Sequence, residues 1–386
     1  MRSRFVAVAA ACAFAISMTA GPALAHSGNN SGHYPGNNSG NHSGGHHGSG
    51  HGNRHPSPVN EVASQLISPL RVAFGPRDSY LVAESFAGQL SSISAKGVKS
   101  VLVSAPGQEI AGVSYGDGTT YYFNNDQGAG PEPGGELLPA RLMKLDKRGN
   151  STQIVDLSVF EGTHNPDGNT VYGVRDAAPE CLSQAPYMQS LGELFSHPYS
   201  SAPANNGVYV GDAGANAILF VNKRGNVKLV KAVPAEPITI DAAVVAVAAE
   251  VGMVVPDCMM GLKYYAQAVP TDIEISGQWL YYTVLPGVPG ESLGVGKAYR
   301  MNLHSGKTQL LAQNLSAPTG IAVDRNNNVY VAQLMGDGVS VIRNGKVTTV
   351  LPAPMVSDVA ISGKTLAAVT NALAETGGSL VTMRLR

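Results

Sequence analysis

Charge is scarce in this sequence. Only 14% of residues are Asp, Glu, Lys or Arg, and 26 basic residues against 27 acidic ones leave a formal net charge of −1. The basic residues are scattered, so the electrostatic footprint that nucleic-acid binding requires is missing. Long hydrophobic runs are also missing: the apolar stretch Val6 to Ile16 is too short for a bilayer, which takes about 20 residues as a helix, and no later segment is long enough. No transmembrane segment is therefore expected. There are three cysteines, too few for a disulfide-rich scaffold. H-E-x-x-H, C-x-x-C and P-loop motifs are all absent, which removes the zinc-protease, dithiol-redox and nucleotide-triphosphate readings that rest on them.

What is present at the start is an export signal. Met1 to Phe5 carries two arginines, an apolar stretch follows, and small residues at Ala23-Leu24-Ala25 form a cleavage site. Residues 1–25 read as a signal peptide, and the mature chain is expected outside the cytoplasm, in the periplasm, cell wall or medium. Cys12 lies inside the apolar stretch, so a lipoprotein reading fits poorly. Residues 26–58 consist almost wholly of Gly, Ser, Asn and His, with too little apolar surface to offset the entropy of ordering. They are expected to be a disordered tether. Its seven histidines (His26, His33, His42, His46, His47, His51 and His55) suit Zn, Cu or Ni, but their irregular spacing defines no geometry, and adventitious binding by a solvated spacer is the reading preferred. Cleavage leaves Cys181 and Cys258, which in an oxidising compartment suggests one disulfide; two separate buried thiols are the alternative.

Beyond the arm one two-part pattern recurs, a signature of repeat architecture. The first part is a strand, a turn and a strand rich in aromatic and β-branched residues: LRVAFGPRDSYLVAE from Leu70, AGVSYGDGTTYYFN from Ala111, SSAPANNGVYVGD from Ser200, TDIEISGQWLYYTV from Thr271, TGIAVDRNNNVYVAQ from Thr319 and SDVAISGKTLAAVT from Ser357. The second is a hairpin turning near Gly97, Gly149, Gly225, Gly306 or Gly345, where glycine supplies positive φ. The last copy stops after one strand, SLVTMRLR, and Glu61–Leu66 can supply the missing one. Residues 59–386 are thus expected to form an all-β, six-bladed β-propeller whose ring is closed by an N-terminal strand, removing exposed sheet edges.

Four insertions interrupt the pattern: Asp126 to Pro139, Phe160 to Phe195, Ala232 to Val269 and Val284 to Gly296. All fall on the face that carries the blade-to-blade connections. The two longest hold Cys181 and Cys258, whose bond would staple a cap there, so ligand binding is expected on the capped face. Tyr264 and Tyr265, with Tyr281 and Tyr282, are candidates for an aromatic platform, against core packing as the commoner fate. The aligned repeats place Arg71, Gly112, Asp272, Gly320 and Asp358 early in the innermost strands. Glu84, Asn124 and Asp212 fall at second-strand ends, and with Asp272 they are candidate oxygen ligands for calcium in the central tunnel. The competing reading has these side chains hydrogen-bonding backbone amides. Gly112-Val-Ser114-Tyr-Gly116 satisfies G-x-S-x-G but leads into a strand, not a helix, so it is no nucleophile elbow. Asn165-Pro-Asp-Gly168 has the residue types of a tight turn.

Tyr209-Val-Gly-Asp212-Ala-Gly-Ala-Asn216 resembles the signature of NHL-type propeller repeats. The domain also resembles the ScyD/ScyE family of secreted propellers over most of residues 60–386. That likeness rests on ARLMKLDKRGN at Ala140, NPDGN at Asn165, GDAGANAILFVN at Gly211, Cys258, VPTDIEISGQWLYYTVLPGVPGESLG at Val269 and APTGIAVDRNNNVYVAQLMG at Ala317. It implies export and a TolB-like six-bladed propeller, and brings with it no reaction or ligand. The expectation is a secreted monomer that binds a small molecule, glycan or extracellular protein. The alternative is a calcium-dependent hydrolase or lyase of the lactonase or phosphotriesterase type.

Overall fold

A computed structural model describes residues 57–126 and 137–385; the expected signal peptide, nearly all of the His-rich arm and most of the Asp126–Pro139 insertion lie outside them. The chain folds as a β-propeller. Six four-stranded antiparallel sheets follow one another along the sequence. Sheet 1 is Pro69–Phe74, Tyr80–Glu84, Gln89–Ile93 and Lys99–Ser104. Sheet 2 is Gln108–Gly116, Thr119–Asp126, Ala140–Leu145 and Ser151–Asp156, and sheet 3 is Pro198–Ala204, Gly207–Asp212, Ala217–Asn222 and Val227–Ala232. Sheet 4 is Ala268–Ser276, Trp279–Pro286, Gly296–Asn302 and Thr308–Leu315, and sheet 5 is Pro318–Val323, Val329–Gln333, Gly338–Arg343 and Lys346–Pro352. Sheet 6 combines Asp358–Ser362, Thr365–Thr370 and Gly378–Arg384 with Val59–Leu66 from the other end of the domain.

Each strand alternates, so one sheet face packs on the sheet before and the other on the sheet after. Leu81 and Leu90 of sheet 1 meet Ile110 and Tyr122 of sheet 2. Phe123 and Leu142 meet Val210 and Leu219 of sheet 3, and Ile218 meets Leu280 and Tyr282 of sheet 4. Tyr281 and Ala298 meet Val331 of sheet 5, whose Tyr330 and Val339 meet Leu366 and Val381 of sheet 6. Ala367 and Leu380 return to Val72 and Val82 of sheet 1. The turns obey local chemistry. Asp117-Gly118 and Asn344-Gly345 take positive φ at both positions (52° and 76°; 50° and 75°), the type I′ geometry that two-residue hairpins favour.

A seventh four-stranded sheet lies outside this series. The first long insertion supplies Val171–Val174 and Gln189–Leu191, and the second supplies Glu236–Thr239 and Lys263–Ala266. Cys181 and Cys258 are bonded across the two, 77 residues apart with Cα atoms separated by 6.0 Å. The cap has its own apolar core of Val174, Met188, Ile240, Val244, Ala248 and Met259. Glu236 anchors it to sheet 4, accepting from Tyr299 Oη at 2.8 Å and pairing with Lys297.

Because this core is separate from the ring, the disulfide should govern the cap alone. Closing a loop of this length contributes about 4 kcal/mol in the chain-entropy model. A Cys181→Ser/Cys258→Ser variant is expected to keep its far-ultraviolet β spectrum while limited proteolysis, read by mass spectrometry, cuts first between residues 160 and 266.

Candidate functional site

All six inner strands start at the cap end and run towards the opposite face, where the hairpins Phe74–Tyr80, Gly116–Thr119, Ala204–Gly207, Ser276–Trp279, Val323–Val329 and Ser362–Thr365 turn back. On the axis stands Arg71, 3% exposed. Its Nε donates to Tyr199 O of sheet 3 at 3.1 Å, Nη1 to Thr319 O of sheet 5 at 2.6 Å, and Nη2 to Thr271 O of sheet 4. The same guanidinium lies 3.5 Å from Asp272 Oδ1 and 3.5 Å from Asp358 Oδ1. One side chain from sheet 1 thus ties together sheets 3, 4, 5 and 6.

The two aspartates are themselves staples. Asp272 accepts from its neighbour Ile273 N at 2.9 Å and from Ile321 N of sheet 5 at 2.7 Å. Asp358 accepts from Val359 N and from Val72 N of sheet 1, both at 2.8 Å. Burial raises both carboxyls above the ordinary range, and their mutual repulsion adds to this at Asp358, while Arg71 opposes it. Room for the cluster comes from glycine: a Cβ on Gly320 would stand 2.5 Å from Asp358 Oδ1.

Below Arg71, towards the uncapped face, the axis opens into a cavity of about 320 Å³ lined by the second halves of the inner strands, including Phe74, Ser114, Tyr115, Ser201, Glu274 and Ala360. Ser114 Oγ and Ser201 Oγ lie 2.6 Å apart. Glu274 follows Asp272 by two residues and so faces the same side of its strand. Burial, and then the charge of Asp272, push its carboxyl up to about 8.

On the cap side of Arg71 lies a buried polar network. His197 Nε2 pairs with Glu109 Oε2 at 2.7 Å, and Tyr199 Oη donates to Glu109 Oε1 at 3.0 Å. Burial alone would lower the His197 ring, but Glu109 outweighs it and the net shift is upward. Burial would likewise raise Glu109, yet His197, Tyr199 and Asn125 hold it below the usual carboxylate range. Close by, Glu161 is 1% exposed, and among the described residues neither carboxyl oxygen makes a well-formed hydrogen bond. Burial, then the charges of Asp212 and Asp167, push it up to about 9.

The four candidate calcium ligands are not brought together. Glu84 is buried against Lys99 Nζ at 2.6 Å and accepts from Ile67 N and Ser91 Oγ. Asp212 accepts from Ser196 Oγ, His197 N and Ala215 N at 2.6, 2.7 and 3.2 Å, and Asp272 belongs to the Arg71 cluster. Asn124 is half-buried with its Oδ1 unpartnered. Its neighbour Asn125 is the one that turns inward, donating to Pro198 O at 3.2 Å, since successive residues of a strand face opposite sides. Among the described residues no three His, Cys, Asp or Glu side chains could hold a metal ion. A hard cation on the axis does not fit, since the oxygens it would need are occupied by the guanidinium.

Tyr281 and Tyr282 are core residues, 2% and 1% exposed. Tyr264 donates to Val288 O at 3.0 Å, and the Tyr265 ring lies under the Arg175 guanidinium, 3.7 Å from centroid to Cζ. The insertions pack on themselves, so the cavity on the axis opens at the other end from the cap. Sequence reasoning missed Arg71 as a ligand hub, the Glu109–His197 pair, Glu161 and Glu274. The aligned Arg71, Asp272 and Asp358 with glycines between them were the available signal.

No family model and no curated protein match the chain. Among solved structures it is similar to a gluconolactonase from Xanthomonas campestris (12% identity over 86% of this chain and 90% of that one, TM-score 0.51). It is also similar to a putative glucose dehydrogenase from Thermus thermophilus (14% identity over 85% and 99%, TM-score 0.52). At such identity the likeness shows the fold alone.

The buried charges set two measurable outcomes. Arg71→Met removes the counter-charge of two carboxylates and the side-chain donor of three carbonyls, and should cost about 3–5 kcal/mol in urea unfolding; calcium should recover part of the loss in this variant and leave the parent unchanged. Glu161 is protonated when folded and ionised when unfolded between pH about 4.5 and about 9. Stability should therefore fall as pH rises through that window, by at most about 1.4 kcal/mol per pH unit for one carboxyl. Glu161→Gln should flatten the fall, as read by melting temperature against pH.

Proposed function

We propose that this chain is an exported, six-bladed propeller of the ScyD/ScyE type that binds a small polar molecule in the mouth of its axial tunnel. The observation that carries this reading is the Arg71 guanidinium on the axis, which floors the tunnel and takes the place a central metal would need. What remains below it is an open polar recess without a bound cation's ligand set. The six sheets are its blades, and Val59–Leu66 completes the last one. The cap closes the other end and acts as a lid in the structural sense, stapled by Cys181–Cys258. A calcium-dependent hydrolase would need free carboxylates at the point where Asp272 and Asp358 are already shared.

Rigid inner strands are good supports for a recognition site, because strand side chains hold their geometry better than loops do. Ala73 and Ala360 are half-buried and line the recess just below Arg71 and Asp358. Replacing Ala360 by Trp should narrow the recess while leaving Arg71, Asp272 and Asp358 themselves in place. In a thermal-shift screen of small polar compounds, ligands that stabilise the parent by a few degrees should lose that effect in Ala360→Trp. Stabilisation that survives in Ala360→Trp and Ala73→Trp alike would place binding elsewhere and overturn the reading.

A further inference from the structure

The recess contains one carboxyl group that the fold does not use. Glu274 is half-buried and lines the cavity. Among the described residues its carboxyl has no hydrogen-bond or ion-pair partner; the Asp272 charge, two residues earlier, only repels it. Every other charge on the tunnel wall is committed. Arg71 is held by three carbonyls and two aspartates, and those aspartates accept four backbone amides between them. The remaining ionisable group on the wall is the phenol of Tyr115.

An unpaired carboxylate in a partly dry recess attracts a cation, and the kind of cation is limited by its surroundings. A hard metal ion needs six or more oxygens, and Glu274 supplies two. The recess is lined on its other sheets by Phe74, whose ring also packs on Tyr80 with centroids 5.3 Å apart, by Tyr115, and by Ser114 and Ser201, whose hydroxyls lie 2.6 Å from each other. Aromatic faces attract weakly hydrated organic cations through their quadrupoles, and hydroxyl oxygens accept from N–H donors. A recess of about 320 Å³ has the dimensions of a small-molecule pocket.

We propose that the tunnel mouth takes a small organic ammonium ion, its charge met by Glu274 and its alkyl groups by Phe74 and Tyr115. The inference rests on the tunnel being the binding site. Because the empty site holds its proton up to a pH of about 8, an arriving ammonium must expel it. Binding is therefore linked to proton release below that pH and strengthens as pH rises towards it.

The test is calorimetric titration of the mature protein with butylammonium and tetramethylammonium at pH 7 and pH 9, with 1-butanol as the neutral counterpart. The expected result is binding of the ammonium ions that tightens at pH 9, with no butanol binding. Heats at pH 7 should differ between buffers of different ionisation enthalpy, and Glu274→Gln should weaken binding at least about tenfold. This variant removes an unpaired charge and keeps the side-chain shape, so loss of binding is not loss of fold. Equal binding of butanol, unchanged affinity in Glu274→Gln, or no ammonium binding at pH 9 would overturn the proposal. If neutral or anionic compounds then stabilise the parent and fail in Ala360→Trp, the tunnel stands as the site and only the cation is wrong; if nothing depends on Ala360, both fall.

Discussion

Six inner strands that converge on one axis turn their unpaired edges towards each other, in a space too narrow for bulk water to satisfy them. Buried carbonyls and amides of this kind are costly unless paired. Arg71 answers the carbonyls of three strands at once, because a guanidinium carries five donors in one plane. Asp272 and Asp358 answer the amides, each bridging its own strand to the next sheet. The positive centre is stabilised by the two negative arms and the arms by the centre, so none of the three is tolerable without the others. The open recess below and the closed network above are both consequences of where this plug stands.

Above the plug the protein keeps a second, different set of buried charges. Glu109 and His197 form a matched pair between sheets 2 and 3. Asp212 accepts from three donors, whereas Glu161, with no well-formed hydrogen bond to its carboxyl oxygens among the described residues, holds a proton instead. These are the two ways a low-dielectric interior accepts an acid, by pairing or by protonation. The first insertion is fastened to sheet 3 through this region, with Asn216 Nδ2 donating to Asp167 Oδ2 at 2.8 Å.

The repeat pattern was readable because each sheet repeats the same alternation and the same turn chemistry. LRVAF, AGVSY and TGIAV all became inner strands, and the partnership of Glu61–Leu66 with SLVTMRLR followed from counting strands. The pairing of Cys181 with Cys258 was legible from their neighbouring insertions. The hub was not. Strand alignment puts Arg71, Asp272 and Asp358 at equivalent depth, but a linear alignment does not say that a long side chain crosses the axis. Asn124 and Asn125 show the same limit at finer scale, since the two adjacent residues have the same chemistry and only their facing decides which one turns inward. The cap's fold was hidden for another reason: its sheet is assembled from two insertions whose strands carry no repeat.

The clasp of Val59–Leu66 onto Gly378–Arg384 joins positions such as Glu61 and Ser379, which lie 318 residues apart. A chain that emerges in order from the ribosome must hold its first strand in waiting until nearly the whole domain has been delivered. Sheets 1 to 5 and the cap can be assembled along the way from nearby segments, yet the ring stays an open arc with two raw flanks until then. The interval is when this molecule is most exposed to pairing with a second copy of itself, through the waiting strand of one chain and the three-stranded sheet 6 of another.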